Sequence, residues 1–329
     1  MSRKVKKMLI YYCVVLILFV SGCSNSSSVN SNQKNKEETH TQSKIQKHSN
    51  GAVASFKKIT VKGLDPSLDA YEMMYWSEGL KVAAYVSVPK EEGSYNLSVN
   101  AHGGSPLPDD NSKHVKSPQG LMMDKSLLKQ SFPGEVTLVP LYRGYGDSMG
   151  TIPGLYDATL DTNNAIDAVK NYLNKNGSKR KIIADHTSLM GTSFGGGVVL
   201  KLASIRSDIV SIVAISPYVG VDYVYPWSKK HQNNDWAKEY LKRFNSNFGT
   251  FNPSSKVTRK ESINVKKINN EPVLMVQGTA DNYINWHPVQ EFYKDLKQQD
   301  PNVTFKLIEG GNHGLDNKRE QLIQIINNW

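Results

Sequence analysis

Six apolar, β-rich segments recur through the second two thirds of the chain: Tyr95 to Ala101, Glu135 to Leu141, Thr187 to Met190, Ile209 to Ile215, Pro272 to Gln277 and Val303 to Ile308. Helix-patterned stretches separate most of them. Near-continuous apolar strands alternating with helices predict a mostly parallel sheet covered on both faces, because such strands are buried on both sides. The helical stripes are Ile166, Val169 and Leu173; Val198, Val199, Leu202 and Ile205; and Leu322, Ile326 and Trp329. Each spacing places one apolar face toward a core. Ahead of this alternation, Ser55 to Val61, Tyr71 to Ser77 and Leu80 to Val88 read as strands, the last two joined by Glu78-Gly79, and predict an antiparallel entry. No stretch of 20 to 50 residues repeats, which excludes a propeller or solenoid.

Two segments precede this body. Arg3, Lys4, Lys6 and Lys7 are followed by an uncharged apolar run from Met8 to Val20, the pattern of a secretory signal. The run is short of the roughly 20 residues of a membrane span. It ends in Val20-Ser21-Gly22-Cys23, which resembles a bacterial lipobox. That resemblance implies cleavage before Cys23 and a diacylglyceryl group on its sulfur. The alternative is an uncleaved signal anchor with an incidental cysteine. From Ser24 to Asn50 the chain is dominated by Ser, Asn, Gln, Lys and Thr and has no aromatic residue, so it cannot offset its ordering entropy and is predicted to be a flexible tether. The expected organisation is a signal over 1–22, a tether over 23–53 and one catalytic domain over 54–329. The expected location is the extracytoplasmic face of the cell membrane, reached through a lipid on Cys23.

The formal charge of +10 must be divided along these lines before it is read. The signal carries four of those charges and the tether two, leaving +4 on the body. With no block of like charges there, nucleic acid is not an expected partner. Cys13 would leave with the signal, so neither of the two cysteines belongs to the folded body. The eight histidines show no paired spacing with acids or cysteines, and neither a metal nor another cofactor is expected.

Between Pro217 and Glu271 lies a stretch rich in rings: Tyr218, Tyr223, Tyr225, Trp227, Trp236, Tyr240, Phe244, Phe248 and Phe251. It is too aromatic for a disordered loop. An insertion over about 218–270 follows, either a packed unit whose rings are core or a cap with some rings lining a site.

The chemistry is carried by Gly-x-Ser-x-Gly, which occurs twice, at Gly146 to Gly150 and at Gly191 to Gly195. The motif works where a tight strand-to-helix turn projects the serine from the sheet edge. Ser193 follows a strand-like segment and precedes a helix opening with Gly195-Gly196-Gly197. Ser148 is followed by Ile152-Pro153-Gly154, which breaks any helix there, and reads as a loop serine. A serine needs a histidine to take its proton, and the histidine needs a carboxylate to orient it. In this order of elements the acid and then the histidine come after the serine. Of the three later histidines, His231 lies in the insertion and His287 stands at a helix start. His313 follows a strand in the glycine-rich loop Glu309 to Gly314. Asp281 follows another strand through Gly278-Thr279-Ala280, at the carboxyl end of the sheet, where open α/β sheets gather their sites. Asp222, Asp235, Asp295, Asp300 and Asp316 do not directly follow a core strand. One oxyanion donor is the Phe194 N–H, and the other comes from the loop His102-Gly103-Gly104-Ser105-Pro106. His102 itself reads as structural.

These residues resemble the α/β-hydrolase superfamily and, within it, the catalytic domain of the prolyl oligopeptidase family, from about Tyr71 to the end. The likeness rests on Ser77-Glu78-Gly79-Leu80, His102-Gly103-Gly104, Arg143-Gly144-Tyr145-Gly146, Gly191-Thr192-Ser193-Phe194-Gly195-Gly196, Gln277-Gly278-Thr279-Ala280-Asp281 and Gly311-Asn312-His313, in the family's order. It implies an α/β-hydrolase fold, Ser193 as nucleophile, Asp281 as acid, His313 as base, and the N–H groups of Gly104 and Phe194 as oxyanion donors. The family often has proline directly after the paired glycines, where this chain has Ser105. No acidic pair that would grip a peptide's free amino terminus is evident. The expectation is therefore a lipid-anchored serine hydrolase taking a small ester or short peptide substrate. Two other readings are a binding lipoprotein that keeps the fold without turnover, and a lipase.

Overall fold

The computed structural model describes residues 48–108, 125–131, 133–175, 179–268 and 271–329. The expected signal, Cys23 and nearly all of the expected tether lie outside the described residues. Among the described residues no helix is long and apolar enough to cross a membrane.

The described strands are β1 (Val53–Ile59), β2 (Leu68–Ser77), β3 (Leu80–Pro89), β4 (Gly93–Ala101), β5 (Glu135–Pro140), β6 (Arg180–Thr192), β7 (Ile209–Ile215), β8 (Val273–Gly278) and β9 (Val303–Ile308). They form one sheet in the order β1-β2-β3-β5-β4-β6-β7-β8-β9. From β1 through β3 to β5 the neighbours are antiparallel, and from β5 through β4 to β9 they are parallel. The antiparallel entry begins just ahead of β1, where the Gly51 N–H donates to the Trp76 carbonyl at 2.8 Å. After β4 the chain turns to one side to make β5, then crosses back to lay β6 on β4's other side. That reversal opens a crevice at the carboxyl ends of β4 and β6, the usual place for a ligand in such a sheet.

Helix α1 (Leu155–Lys175) makes the crossover, and α2 (Phe194–Ala203) leaves β6 directly. Ile166, Val169 and Leu173 of α1, with Val198, Val199 and Leu202 of α2, are buried as their spacing requires. Ile205 is 53% exposed, contrary to its place in the stripe, because α2 ends at Ala203 with Ser204 as its cap. Trp329 is also exposed, one residue beyond the last helix, α7 (Arg319–Asn328). The strands show why both faces must be covered. Val213, Ile215, Leu274 and Val276 pack with Leu322 and Ile326 of α7, while the alternate residues Ile212, Ala214, Val273 and Met275 belong to the larger core. Successive strand side chains point to opposite faces, so β7 and β8 need partners on each.

The insertion between β7 and β8 folds as α3 (Val221–Lys230), α4 (Asp235–Phe248) and α5 (Lys256–Glu261), each opened or closed by local signals such as the Asn234 and Ser255 side-chain caps. Tyr218, Tyr225, Tyr240 and Phe244 are buried, with the Tyr218 and Tyr240 hydroxyls 2.8 Å apart. These rings are continuous with the larger core of the domain. Helix α6 (Trp286–Gln299) joins β8 to β9.

Candidate active site

Ser193 sits between the last residue of β6 and the first of α2 with φ 59° and ψ −122°, a conformation in which a side chain is strained. Its neighbours hold it there. The Ser193 N–H donates to the Ile215 carbonyl at 2.8 Å, and its carbonyl accepts from the Tyr218 N–H at 2.9 Å and the Gly197 N–H at 3.3 Å. The flanking glycines have a steric reason: a Cβ on Gly191 would overlap the Gly195 carbonyl, and one on Gly195 would overlap the Ala101 carbonyl. Helix, strand β4 and turn therefore approach closely only with this sequence.

Asp281 and His313 come together from the loops after β8 and β9. His313 Nδ1 lies 2.8 Å from Asp281 Oδ2. The carboxylate is fully buried and its side chain is held from several directions. Oδ1 accepts from the Tyr283 and Ile284 N–H groups, both at 2.8 Å, and Oδ2 also accepts from Gln277 Nε2 at 2.9 Å. With Nδ1 donating to Asp281, Nε2 is the nitrogen left to accept a proton. The two loops are tied to each other: the Ala280 N–H donates to the Gly311 carbonyl at 2.9 Å, and the Gly310 N–H to Thr279 Oγ1 at 2.8 Å. Gly314 and Leu315, both at positive φ, turn the chain sharply after His313, and Ser216 Oγ accepts from the Gly314 N–H at 3.3 Å.

The loop after β4 reaches the serine. A Cβ on Gly103 would lie 3.4 Å from Ser193 Cβ, so Gly103 and Gly104 pass beside the elbow. The Phe194 N–H is the first of α2, where an amide has no carbonyl partner within the helix. His102 is buried, donates from Nδ1 to the Gly103 carbonyl at 2.6 Å and packs against the Tyr142 and Tyr145 rings. Burial lowers its pKa to about 4, so it stands neutral as a support of this loop.

Other residues fall where their sequence context places them. Ser148 is fully buried and its Oγ accepts from the Ala83 N–H at 2.9 Å, out of reach of any substrate. His287 is exposed beside Asn285, the cap of α6, and His231 is exposed in the insertion with Nδ1 on the Trp227 carbonyl. No cluster of three or more His, Cys, Asp or Glu side chains suited to a metal ion occurs among the described residues.

Two contributions were not drawn from the sequence. Gln277, fully buried, orients the Asp281 carboxylate and also donates to the Ile284 carbonyl. Its position four residues before the aspartate, at a strand end, was the available signal. The second is the support beneath Arg143-Gly144-Tyr145-Gly146. Asp161, buried in α1, accepts from the Arg143 N–H, Nε and Nη2 at 2.8, 2.9 and 2.8 Å, and from Ser77 Oγ. That network joins the end of β2, helix α1 and the loop that carries Tyr145.

A strained serine at a strand-to-helix elbow, an aspartate–histidine pair on the loops after β8 and β9, and the Gly103-Gly104 loop and the first amide of α2 beside the serine define a serine hydrolase of α/β-hydrolase fold. The model of the prolyl oligopeptidase family matches residues 162–329, just over half of the chain, and the chain belongs to that family. No curated protein sequence matches it. Among solved structures it is similar to Pyrococcus furiosus esterase Pf2001, at 18% identity and TM-score 0.53, over 83% of this chain and 95% of that one. It is also similar to acetyl xylan esterase 1 from Thermoanaerobacterium sp. JW/SL YS485, at 17% identity and TM-score 0.55, over 83% and 86% of the two chains. A third is the rice cell wall degrading esterase LipA from Xanthomonas oryzae, at 15% identity and TM-score 0.54, over 85% and 98%. At these identities the likeness is one of fold.

Proposed function

We propose that the chain is a lipid-anchored, extracytoplasmic hydrolase that cleaves carboxylic esters, and secondarily short peptide or acyl-amide bonds, through an acyl-enzyme on Ser193. Ser193 Oγ attacks the substrate carbonyl as His313 Nε2 takes its proton, and Asp281 stabilises the imidazolium that forms. The carbonyl oxygen, now negative, receives the N–H groups of Gly104 and Phe194. Collapse expels the alcohol or amine, which takes the proton back from His313. Water then repeats the sequence in reverse and frees the acid.

The observation that carries this reading is the 2.8 Å pairing of His313 with Asp281 on loops tied to each other, at the same sheet edge as the strained Ser193. Esters stand first because the similar folds carry the name esterase and no acidic pair for a free amino terminus is evident. Rates on nitrophenyl esters of increasing acyl length, beside aminoacyl amides, test the order of preference. Uniform failure on esters with turnover of amides would reverse it.

Anchoring is supported by the basic start, the apolar run and Val20-Ser21-Gly22-Cys23. Growth with an alkynyl fatty acid should label the protein, and Cys23→Ala should abolish the label and shift the protein from the membrane to the soluble fraction. Membrane association unchanged in Cys23→Ala would remove the lipid anchor.

A further inference from the structure

The course of the Gly103-Gly104 loop is set by what holds Ser105. Its N–H donates to the Tyr145 hydroxyl at 3.2 Å. Its Oγ accepts from Arg243 Nη2 at 2.9 Å and donates to the Leu107 carbonyl at 2.7 Å, and Arg243 Nη2 also lies 3.5 Å from that carbonyl. Arg243 belongs to α4, in the insertion, 138 residues further along the chain.

The placement of Arg243 differs from that of three other half-buried arginines. Arg143, Arg180 and Arg206 each meet a carboxylate, on Asp161, Asp69 and Asp208 respectively. Among the described residues, Arg243 hydrogen-bonds only to neutral oxygens, and both are in this loop. The fork's planar, directional donors suit it to orienting this loop.

Two adjacent glycines give the loop more backbone freedom than any other pair. An oxyanion donor works only if it stays within about 2.7–3.1 Å of the oxygen on which charge develops. Where proline follows the glycines, its ring restricts the backbone. Ser105 lacks that ring, but its N–H and hydroxyl supply the two handles that Tyr145 and Arg243 grip, and a proline has neither.

We infer that Arg243 is a positioning residue for the oxyanion hole: the insertion, through Ser105, holds the segment from which Gly104 presents its N–H. This rests on the assignment of Gly104 as a donor in the function proposed above. The insertion is then part of the catalytic machinery, and displacement of α4 alters the chemical step rather than substrate affinity.

The test is steady-state hydrolysis of p-nitrophenyl acetate by the intact protein, with thermal melting alongside, for wild type, Ser193→Ala, Ser105→Ala, Arg243→Gln, Arg243→Ala and the Ser105→Ala/Arg243→Gln double variant. Each single change at Ser105 or Arg243 should lower kcat by about tenfold to a hundredfold, with KM within about threefold, because a donor has been misplaced rather than removed. The double variant should be no worse than the more affected single, since both break one link. Millimolar guanidinium should restore part of kcat in Arg243→Ala, which a merely unfolded variant would not show. Ser193-dependent turnover with wild-type kcat in Arg243→Gln, or losses that multiply in the double variant, would overturn the clamp alone. Turnover that survives in Ser193→Ala would overturn the proposed function and the clamp with it.

Discussion

His313 Nδ1 and Asp281 Oδ2 lie 2.8 Å apart although 32 residues separate them in the chain. The pairing is over-determined on the acid side. Backbone N–H groups of Tyr283 and Ile284 and the Gln277 amide fix the carboxylate independently of the histidine, so the imidazole meets an acceptor of set orientation.

Asp281→Asn separates that orientation from the charge. The asparagine oxygen can still accept from the two backbone N–H groups, so the melting temperature should move little. The NH2 that takes the place of Oδ2 is a donor and accepts from neither Gln277 Nε2 nor His313 Nδ1, so the His313 tautomer is lost and kcat on p-nitrophenyl acetate should fall by about 10⁴. A loss below tenfold would place the acid elsewhere.

Glu261, at the end of α5, is buried against the start of α1, where its Oε2 accepts from the Leu155 N–H at 2.7 Å. Burial raises its pKa to about 7, against the pull of that amide and of the Lys201 charge. A folded-state pKa above the ordinary carboxylate value of 4.5 means that folding takes up a proton between the two. This contribution to stability is complete below about pH 4.5 and is lost as pH rises through about 7. Glu261→Gln should flatten the decline in melting temperature over that interval in a pH series of thermal melts. An unchanged slope would assign the decline to other groups.

Asp161→Ala should be the most destabilising of these changes, because it leaves the half-buried Arg143 guanidinium only its 3.5 Å contact with Asp157 and leaves Ser77 Oγ without its acceptor. Breaking a buried pair on one side costs about 3–5 kcal/mol. Urea unfolding monitored by tryptophan fluorescence should show that loss as a lower midpoint. A midpoint within experimental error of wild type would mean the network contributes nothing net.

How much of this was legible in the sequence depended on how local the cause was. Strands β7 and β9 have the expected bounds, Ile209–Ile215 and Val303–Ile308, because each is a short apolar run closed by turn residues. Strand β6 begins at Arg180 rather than Thr187. Its first half, Arg180 to His186, has no continuous apolar run and is mostly exposed, and the backbone of Arg180 to Ile182 pairs with Gly93 to Tyr95 of β4. Ile205 continued a helical period past the point where the helix had already ended. The neighbourhood of Ser193, Asp281 and His313 could be read because each follows an apolar strand through glycine-rich turns. Gln277 was visible as a motif residue without a role. Arg243 was invisible, since nothing local distinguishes it from the other cations of α4, and its partner at Ser105 is brought to it only by the closed fold.

In the function proposed above Ser193, and no other serine, is the nucleophile. Labelling the intact protein with a fluorophosphonate probe, followed by in-gel fluorescence, tests it most directly. Wild type and Ser148→Ala should label, Ser193→Ala should not, and p-nitrophenyl acetate turnover should disappear with the label. Undiminished labelling and turnover in Ser193→Ala would contradict the assignment.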